Sequence, residues 1–175
     1  MKGKKKKTFK EVSKPLPEDA GTLEALEIAI YNEQSAHDFY ENLSQTIENP
    51  SGRDRFRFLS LDEKRHRKLL EERYLRESSG KSFIFDPRKV KKIELKIYDQ
   101  ASAKEALDIA LEAEREAYNS YTRAASQAKD QEGRKIFESL ASEEDKHYQI
   151  LMSERQMIEG GFYWFSLDTS GFMED

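Results

Sequence analysis

Glu63-Lys64-Arg65-His66 and Glu144-Asp145-Lys146-His147 repeat one pattern, Glu-x-x-His. A spacing of three puts the carboxylate and the imidazole on the same face of an α-helix. Apolar residues share that face: Phe56, Leu59 and Leu70 run with Glu63 and His66, and Phe137, Leu140 and Leu151 run with Glu144 and His147. Steps of three and four residues make each set a single stripe turned toward a core. A carboxylate buried there alone would be heavily penalised or would stay protonated. The pattern therefore calls for a compensating charge, and a bound metal cation supplies one.

The two copies stand 81 residues apart, and the correspondence extends well beyond them. Glu24-Ala25-Leu26-Glu27-Ile28-Ala29 is answered by Glu105-Ala106-Leu107-Asp108-Ile109-Ala110. Glu33 falls on Glu114, Ala36 on Ala117, Tyr40 on Tyr121, and Gly52-Arg53 on Gly133-Arg134. An ungapped repeat of this length is an internal duplication.

The elements that must position these residues can be read in order. Residues 1–21 form a flexible basic arm, and Thr22 is a candidate N-cap. A first helix over about 22–48 carries the stripe Leu26, Ile30, Glu33, Ala36 or His37, Tyr40 and Leu43. Asn49-Pro50-Ser51-Gly52 is a turn, and Ser51 with Asp54 reads as a capping-box start for a second helix over about 52–78. Residues 79–101 are a long connection in which Ile93, Leu95 and Ile97 alternate with charged residues, the pattern of extended chain or a short strand. Ser102 with Glu105 is a second capping box, opening a third helix over about 102–128. Its stripe is Leu107, Leu111, Glu114, Ala117 or Tyr118, and Tyr121. Asp130 caps a fourth helix over about 131–159, which Gly160 and Gly161 terminate. The repeats are thus 22–78 and 102–159, and 160–175 is an aromatic tail. Two short turns make each helix pair antiparallel. The long connection can run the length of a helix, so the expected fold is all-α, a ferritin-like four-helix bundle with one long crossover between helices 2 and 3.

On such a bundle one Glu from each of two helices, plus Glu-x-x-His from each of the other two, can converge. Four carboxylates balance two divalent cations, while two neutral imidazoles add ligands without charge. Oxygen and nitrogen donors suit iron or manganese and tolerate zinc. Asp62 and Glu143, each just before a motif Glu, are placed to accept from the ring N–H of the opposite repeat's histidine, Asp62 from His147 and Glu143 from His66. Tyr40 and Tyr121, two turns past the single Glu, are candidates to hydrogen-bond a carboxylate or relay a proton or electron, and equally serve as core tyrosines. His37, one turn from Glu33, reads as a peripheral histidine ahead of an extra ligand or a proton donor.

This ligand set resembles that of the di-iron carboxylate proteins. Over about residues 22–159 the chain resembles the rubrerythrin and ferritin-like superfamily, without a rubredoxin domain. The resemblance implies metal ligation by Glu33, Glu63, His66, Glu114, Glu144 and His147, with Glu63 and Glu144 bridging and Glu33 and Glu114 terminal. It implies two metal ions, iron first, and an oxidoreductase that reduces peroxide or dioxygen in oxidative-stress defence. Ferroxidase activity for iron storage or detoxification is the alternative, and a metal-stabilised interaction module without turnover is another. Rubrerythrins usually carry a further Glu one turn from the third helix's ligand, which takes part in a redox-linked ligand shift. The residues one turn from Glu114 are Ala110, Leu111, Ala117 and Tyr118, so that shift is not expected here.

Composition bounds the remaining readings. Of 175 residues, 37% are charged and none is Cys, which excludes disulfides and cysteine-ligated iron within the sequence. Any electron donor is therefore expected to be another protein. No apolar run approaches the ~20 residues that span a bilayer, and no signal-type apolar segment follows the N-terminal lysines. No membrane association is expected, and cytoplasmic residence is. Residues 1–14 hold seven Lys against one Glu, leaving the remainder net acidic. The arm reads as a solvated tail, and nucleic acid is not expected as a partner. The tail, Phe162-Tyr163-Trp164-Phe165 and beyond, reads as a segment packed on the bundle or a neighbour, or as a docking site for a redox or shell-forming protein. A homo-oligomer, a dimer, is expected.

Overall fold

The computed structural model describes residues 23–90 and 100–160. Four helices account for most of them: α1 Leu23–Thr46, α2 Pro50–Glu77, α3 Gln100–Gln127 and α4 Gln131–Glu159. α1 packs along α2, α3 packs along α4, and α2 meets α4 across the bundle.

The helix starts show which local chemistry won. α2 begins two residues before the expected capping box. Asn49, not Ser51, is its N-cap: the Asn49 side chain accepts from the Gly52 N–H at 3.1 Å, and Pro50 takes the first helical position. Proline is suited there because its fixed φ is helical and the missing N–H would have had no partner. Asp130, the counterpart of Asn49 one repeat later, caps α4 as expected, accepting from Gly133 N at 2.8 Å. α3 begins at Gln100, ahead of the expected cap at Ser102. Thr22, the alternating run of Ile93, Leu95 and Ile97, the basic arm and the aromatic tail lie outside the described residues.

The two caps make a testable pair. Asn49→Ala removes one hydrogen bond to an otherwise unsatisfied helix-start N–H, and is expected to cost about 1 kcal/mol. Asp130 also receives the guanidinium of Arg73 from α2, with Nη1 at 3.1 Å and Nη2 at 2.5 Å. Arg73 is only 7% exposed, so Asp130→Ala leaves a largely buried cation short of a partner as well as removing a cap. Urea unfolding of the two variants is expected to rank Asp130→Ala as the more damaging.

Two apolar clusters fill the bundle, one toward each end. The first takes Leu43 and Ile47 from late α1, Phe56 and Leu59 from early α2, Leu107 from early α3 and Leu151 and Ile158 from late α4. The second takes Leu26 and Ile30 from early α1, Leu70 from late α2, Ala124 from late α3 and Phe137 and Leu140 from early α4. These memberships fix the directions. α3 starts at the end of the bundle opposite to where α2 stops. Burying each of the fully enclosed leucines, Leu59, Leu70, Leu140 and Leu151, contributes roughly 2 kcal/mol.

The first part of the crossover is held by aromatic contacts. Ser79 and Gly80 turn the chain out of α2 with left-handed backbone (φ 57° and 88°), and Gly80 N donates back to Leu75 O at 2.9 Å. Phe83 and Phe85 then lie against Tyr31 of α1, each 5.5 Å between ring centroids. The Arg67 guanidinium sits 4.1 Å from the Phe85 centroid, and Tyr31 Oη accepts from Asp86 N at 3.0 Å.

Candidate metal centre

Between the two apolar clusters lies a polar layer supplied by all four helices. Glu33 from α1, Glu63 and His66 from α2, Glu114 from α3, and Glu144 and His147 from α4 are each at most 4% exposed. Helical spacing explains why they arrive together. Each glutamate follows an apolar residue by three or four positions on a stripe already committed to the core, and each histidine follows its motif glutamate by three.

Their side chains form two overlapping groups, Glu33–Glu63–His66–Glu144 and Glu63–Glu114–Glu144–His147, with the ligating atoms of each group within 4.8 Å of one another. Glu63 and Glu144 belong to both. His66 Nδ1 lies 3.2 Å from Glu63 Oε2 and 3.0 Å from Glu144 Oε1. His147 Nδ1 lies 3.1 Å from Glu63 Oε1 and 3.4 Å from Glu144 Oε2. Each of these two glutamates thus turns one oxygen toward each histidine. Glu33 approaches only His66, and Glu114 approaches only His147, both at 3.7 Å. The imidazole rings are stacked 5.5 Å apart.

The outer side of each ring is held by the opposite repeat. His66 Nε2 faces Glu143 Oε2 at 3.1 Å, and His147 Nε2 faces Asp62 Oδ2 at 3.3 Å. These are the crossed pairs that the sequence anticipated. A carboxylate accepting from Nε2–H keeps the proton on the outside and leaves the Nδ1 lone pair pointing inward. Tyr40 Oη donates to Glu114 Oε1, and Tyr121 Oη donates to Glu33 Oε1, again crossing between repeats. His37 stays outside this layer. Its Nδ1 is 2.8 Å from both the carbonyl and the hydroxyl oxygen of Ser60.

Two features went unread in the sequence. Arg65, inside the first Glu-x-x-His, donates to Asp62 at 3.1 Å and also to Glu143, tying the two outer carboxylates together. Its counterpart Lys146 makes no such pair among the described residues. Glu154 is 1% exposed and pairs with Arg55. Only its stripe position, three residues past Leu151, signalled burial.

The electrostatics describe a layer short of positive charge. Burial, reinforced by the charge of Glu114, pushes the Glu63 carboxyl up to about 7. Burial, reinforced by Glu144, pushes Glu114 up to about 8. Burial also opposes a charged imidazole, yet the surrounding carboxylates outweigh it and raise both His66 and His147. For Glu33 the contact with His66 overcomes burial and lowers the carboxyl. Asp62 is held down to about 2 by its hydrogen bond with His147, and Glu143 to about 2 because Arg65 and His66 outweigh its burial. Burial and the adjacent Glu114 and Glu33 charges keep the Tyr40 and Tyr121 phenols neutral, as donors.

Glu63 Oε1, His66 Nδ1, Glu144 Oε1 and His147 Nδ1 are buried without a hydrogen-bond partner. Four orphaned lone-pair atoms at one place, among convergent carboxylates, are what cations would satisfy. The donor set therefore fits a dinuclear centre. If the outer carboxylates orient the imidazoles, Asp62→Ala or Glu143→Ala is expected to lower metal affinity about 10–100-fold without loss of helix, as read by competition with a chromophoric chelator and by circular dichroism.

Comparison with known proteins agrees with this geometry. The rubrerythrin family model matches residues 24–154. Comparison with curated protein sequences gave no match. Among solved structures, a hypothetical protein from Pyrococcus furiosus is similar at a TM-score of 0.73 and 23% identity, over 85% of this chain and 99% of that one. A dodecameric thioferritin from Bacteroides fragilis is similar at 0.70 and 19%, over 91% and 94%. A manganese catalase from Anabaena is similar at 0.60 and 20%, over 93% and 82%. At these identities the structural likeness establishes the fold. No helix among the described residues is long and apolar enough to cross a membrane.

Proposed function

This chain belongs to the rubrerythrin family, and from that premise we propose that it is a di-iron oxidoreductase that reduces peroxide or dioxygen in oxidative-stress defence. The observation that carries this reading is the shared pair Glu63 and Glu144, each with one oxygen toward each histidine. Glu63 and Glu144 would be shared between two metal positions. Glu33 with His66 completes one position, and Glu114 with His147 completes the other. Iron held there would supply redox chemistry toward the oxidant, and manganese or zinc would fit the same donors.

The chain's own groups do the rest. The apolar clusters above and below the layer exclude water, which strengthens every electrostatic contact inside it. Tyr40 and Tyr121 hold Glu114 and Glu33 in place through their phenol protons. Those phenols contact the layer directly, and we assign them proton delivery. A Tyr40→Phe/Tyr121→Phe variant is expected to retain its metal while consuming peroxide at least about 100-fold more slowly. Unchanged turnover would reduce the two tyrosines to packing.

The test of the function is consumption of peroxide and dioxygen by iron-loaded protein, set against the same concentration of free ferrous iron. Faster loss of either oxidant supports the proposal, and loss of neither above the free-iron rate sinks it. With no Cys in the sequence to ligate a further iron centre, electrons are assigned to a separate donor protein. Likeness to a dodecameric thioferritin favours a homo-oligomer. It also favours a second reading, ferrous-iron oxidation for storage or detoxification, of which storage requires a cage rather than a small oligomer.

A further inference from the structure

The duplication gives each exposed position on α2 a counterpart on α4, and at the centre of the outward faces the two differ in a consistent way. Arg57 and Lys64 on α2 correspond to Glu138 and Asp145 on α4, and Asp54 corresponds to Lys135. All six are exposed, and each pair is inverted in sign. Size is inverted with charge. Leu61 and Phe58 on α2, 57% and 53% exposed, correspond to Ser142 and Ser139, also exposed. Large apolar side chains on one face thus answer small ones on the other.

These side chains are also uncommitted. Among the described residues, Arg65, Arg67, Arg73 and Arg76 of α2 all pair within the chain. No ion pair among the described residues engages Arg57 or Lys64, nor Glu138 or Asp145. Arg57, Leu61 and Lys64 line a groove on the outside of α1–α2, together with His37 and Glu41. Glu138, Ser142 and Asp145 line the equivalent groove of α3–α4, together with Tyr118 and Thr122.

We propose that the outward face of α2 in one copy of this chain docks on the outward face of α4 in a second copy. With the two helices running in the same direction and in equivalent register, Asp54 meets Lys135, Arg57 meets Glu138 and Lys64 meets Asp145. Leu61 then sits over Ser142, with Phe58 beside Ser139. The cationic pair and the anionic pair share a spacing of seven residues, roughly 10 Å along each helix, so both contacts form at once. In the same direction and register like faces repel: α2 on α2 sets cation against cation, and α4 on α4 sets anion against anion. The contact is heterologous, so each copy offers one face of each kind and the assembly closes into a ring or continues as a chain. This inference rests on the outer faces alone and is independent of what the metal layer does.

The test is charge reversal read by sedimentation velocity. The variant Arg57→Glu/Lys64→Glu carries acidic charge on both faces, and Glu138→Arg/Asp145→Arg carries basic charge on both. Wild-type protein is expected to sediment as an assembly at low salt and to dissociate as salt is raised. Each double variant alone is expected to sediment as a single chain with unchanged helical content. An equimolar mixture of the two is expected to reassemble. A single-chain wild type, assembly that survives either reversal, or a mixture that stays dissociated would each overturn the proposal. Reassembly on mixing cannot come from a merely misfolded variant.

Discussion

Glu63→Ala or Glu144→Ala is expected to remove both metals, whereas Glu33→Ala or Glu114→Ala is expected to weaken one position and spare the other. The asymmetry follows from the oxygen placements. Glu63 reaches both histidines, at 3.2 and 3.1 Å, and Glu144 does so at 3.0 and 3.4 Å, while Glu33 and Glu114 each approach one. Losing a shared carboxylate takes a ligand from each position and also leaves two cations facing each other with less negative charge between them. Removing a group that merely orients a ligand costs about 10–100-fold in affinity, so loss of a shared ligand is expected to exceed about 100-fold at both positions. The measurement is metal per chain by elemental analysis after equilibrium dialysis at fixed free iron. Retention of one full equivalent in Glu63→Ala would show that Glu63 does not bridge.

Chelation is expected to produce the second large effect, and one that grows with pH. In metal-free protein the Glu63 and Glu114 carboxyls are raised to about 7 and 8, and both histidines are raised as well. A group raised on folding holds its proton longer in the folded state than in the unfolded one. Its stabilising contribution is therefore full below the unfolded value and declines as pH rises through the folded one. Metal-free protein thus loses stability between about pH 5 and pH 8. Cations, by contrast, bind the deprotonated carboxylates and gain affinity over the same range. An ion held at 1,000 times its Kd adds about 4 kcal/mol, or roughly 8–16 °C in Tm for a chain of this size. Thermal melts with and without chelator are expected to separate by that much at pH 8 and by distinctly less at pH 6. The groups lowered on folding, Asp62, Glu143 and Glu33, lose their contribution only below about pH 4.5 and do not affect this window. Curves that coincide at pH 8 would mean that the layer holds no metal.

The central layer was legible in the sequence because burial, charge and duplication pointed to the same residues. Glu33, Glu63, His66 and their counterparts lie on stripes whose apolar members already required a core, and a polar residue on such a stripe must answer to something inside. The crossed contacts of Asp62 and Glu143 followed from the same helical arithmetic. The start of α2 was misread because Ser51 and Asn49 both suit a cap and Pro50 decides between them. Proline fits the first turn, so the cap must precede it. The contacts of Arg65, Arg73 and Phe83 were not legible, because each depends on where a long side chain or an irregular segment lands across the bundle. Periodicity within one helix carries no information about that.

The crossed pattern of the central layer has a genealogical consequence. Each metal position takes three ligands from one half of the chain and a single oxygen-bearing side chain from the other. The phenol and the outer carboxylate that steady each position come from the opposite half as well. A lone half is therefore an incomplete receptor, but two identical copies of it related by a twofold axis would contain every group that the present centre contains. The crossover is a tether that fixes stoichiometry and contributes none of the six central side chains. Once both halves were written on one strand, they were free to diverge wherever the twofold no longer mattered, as the opposite signs on the backs of α2 and α4 record.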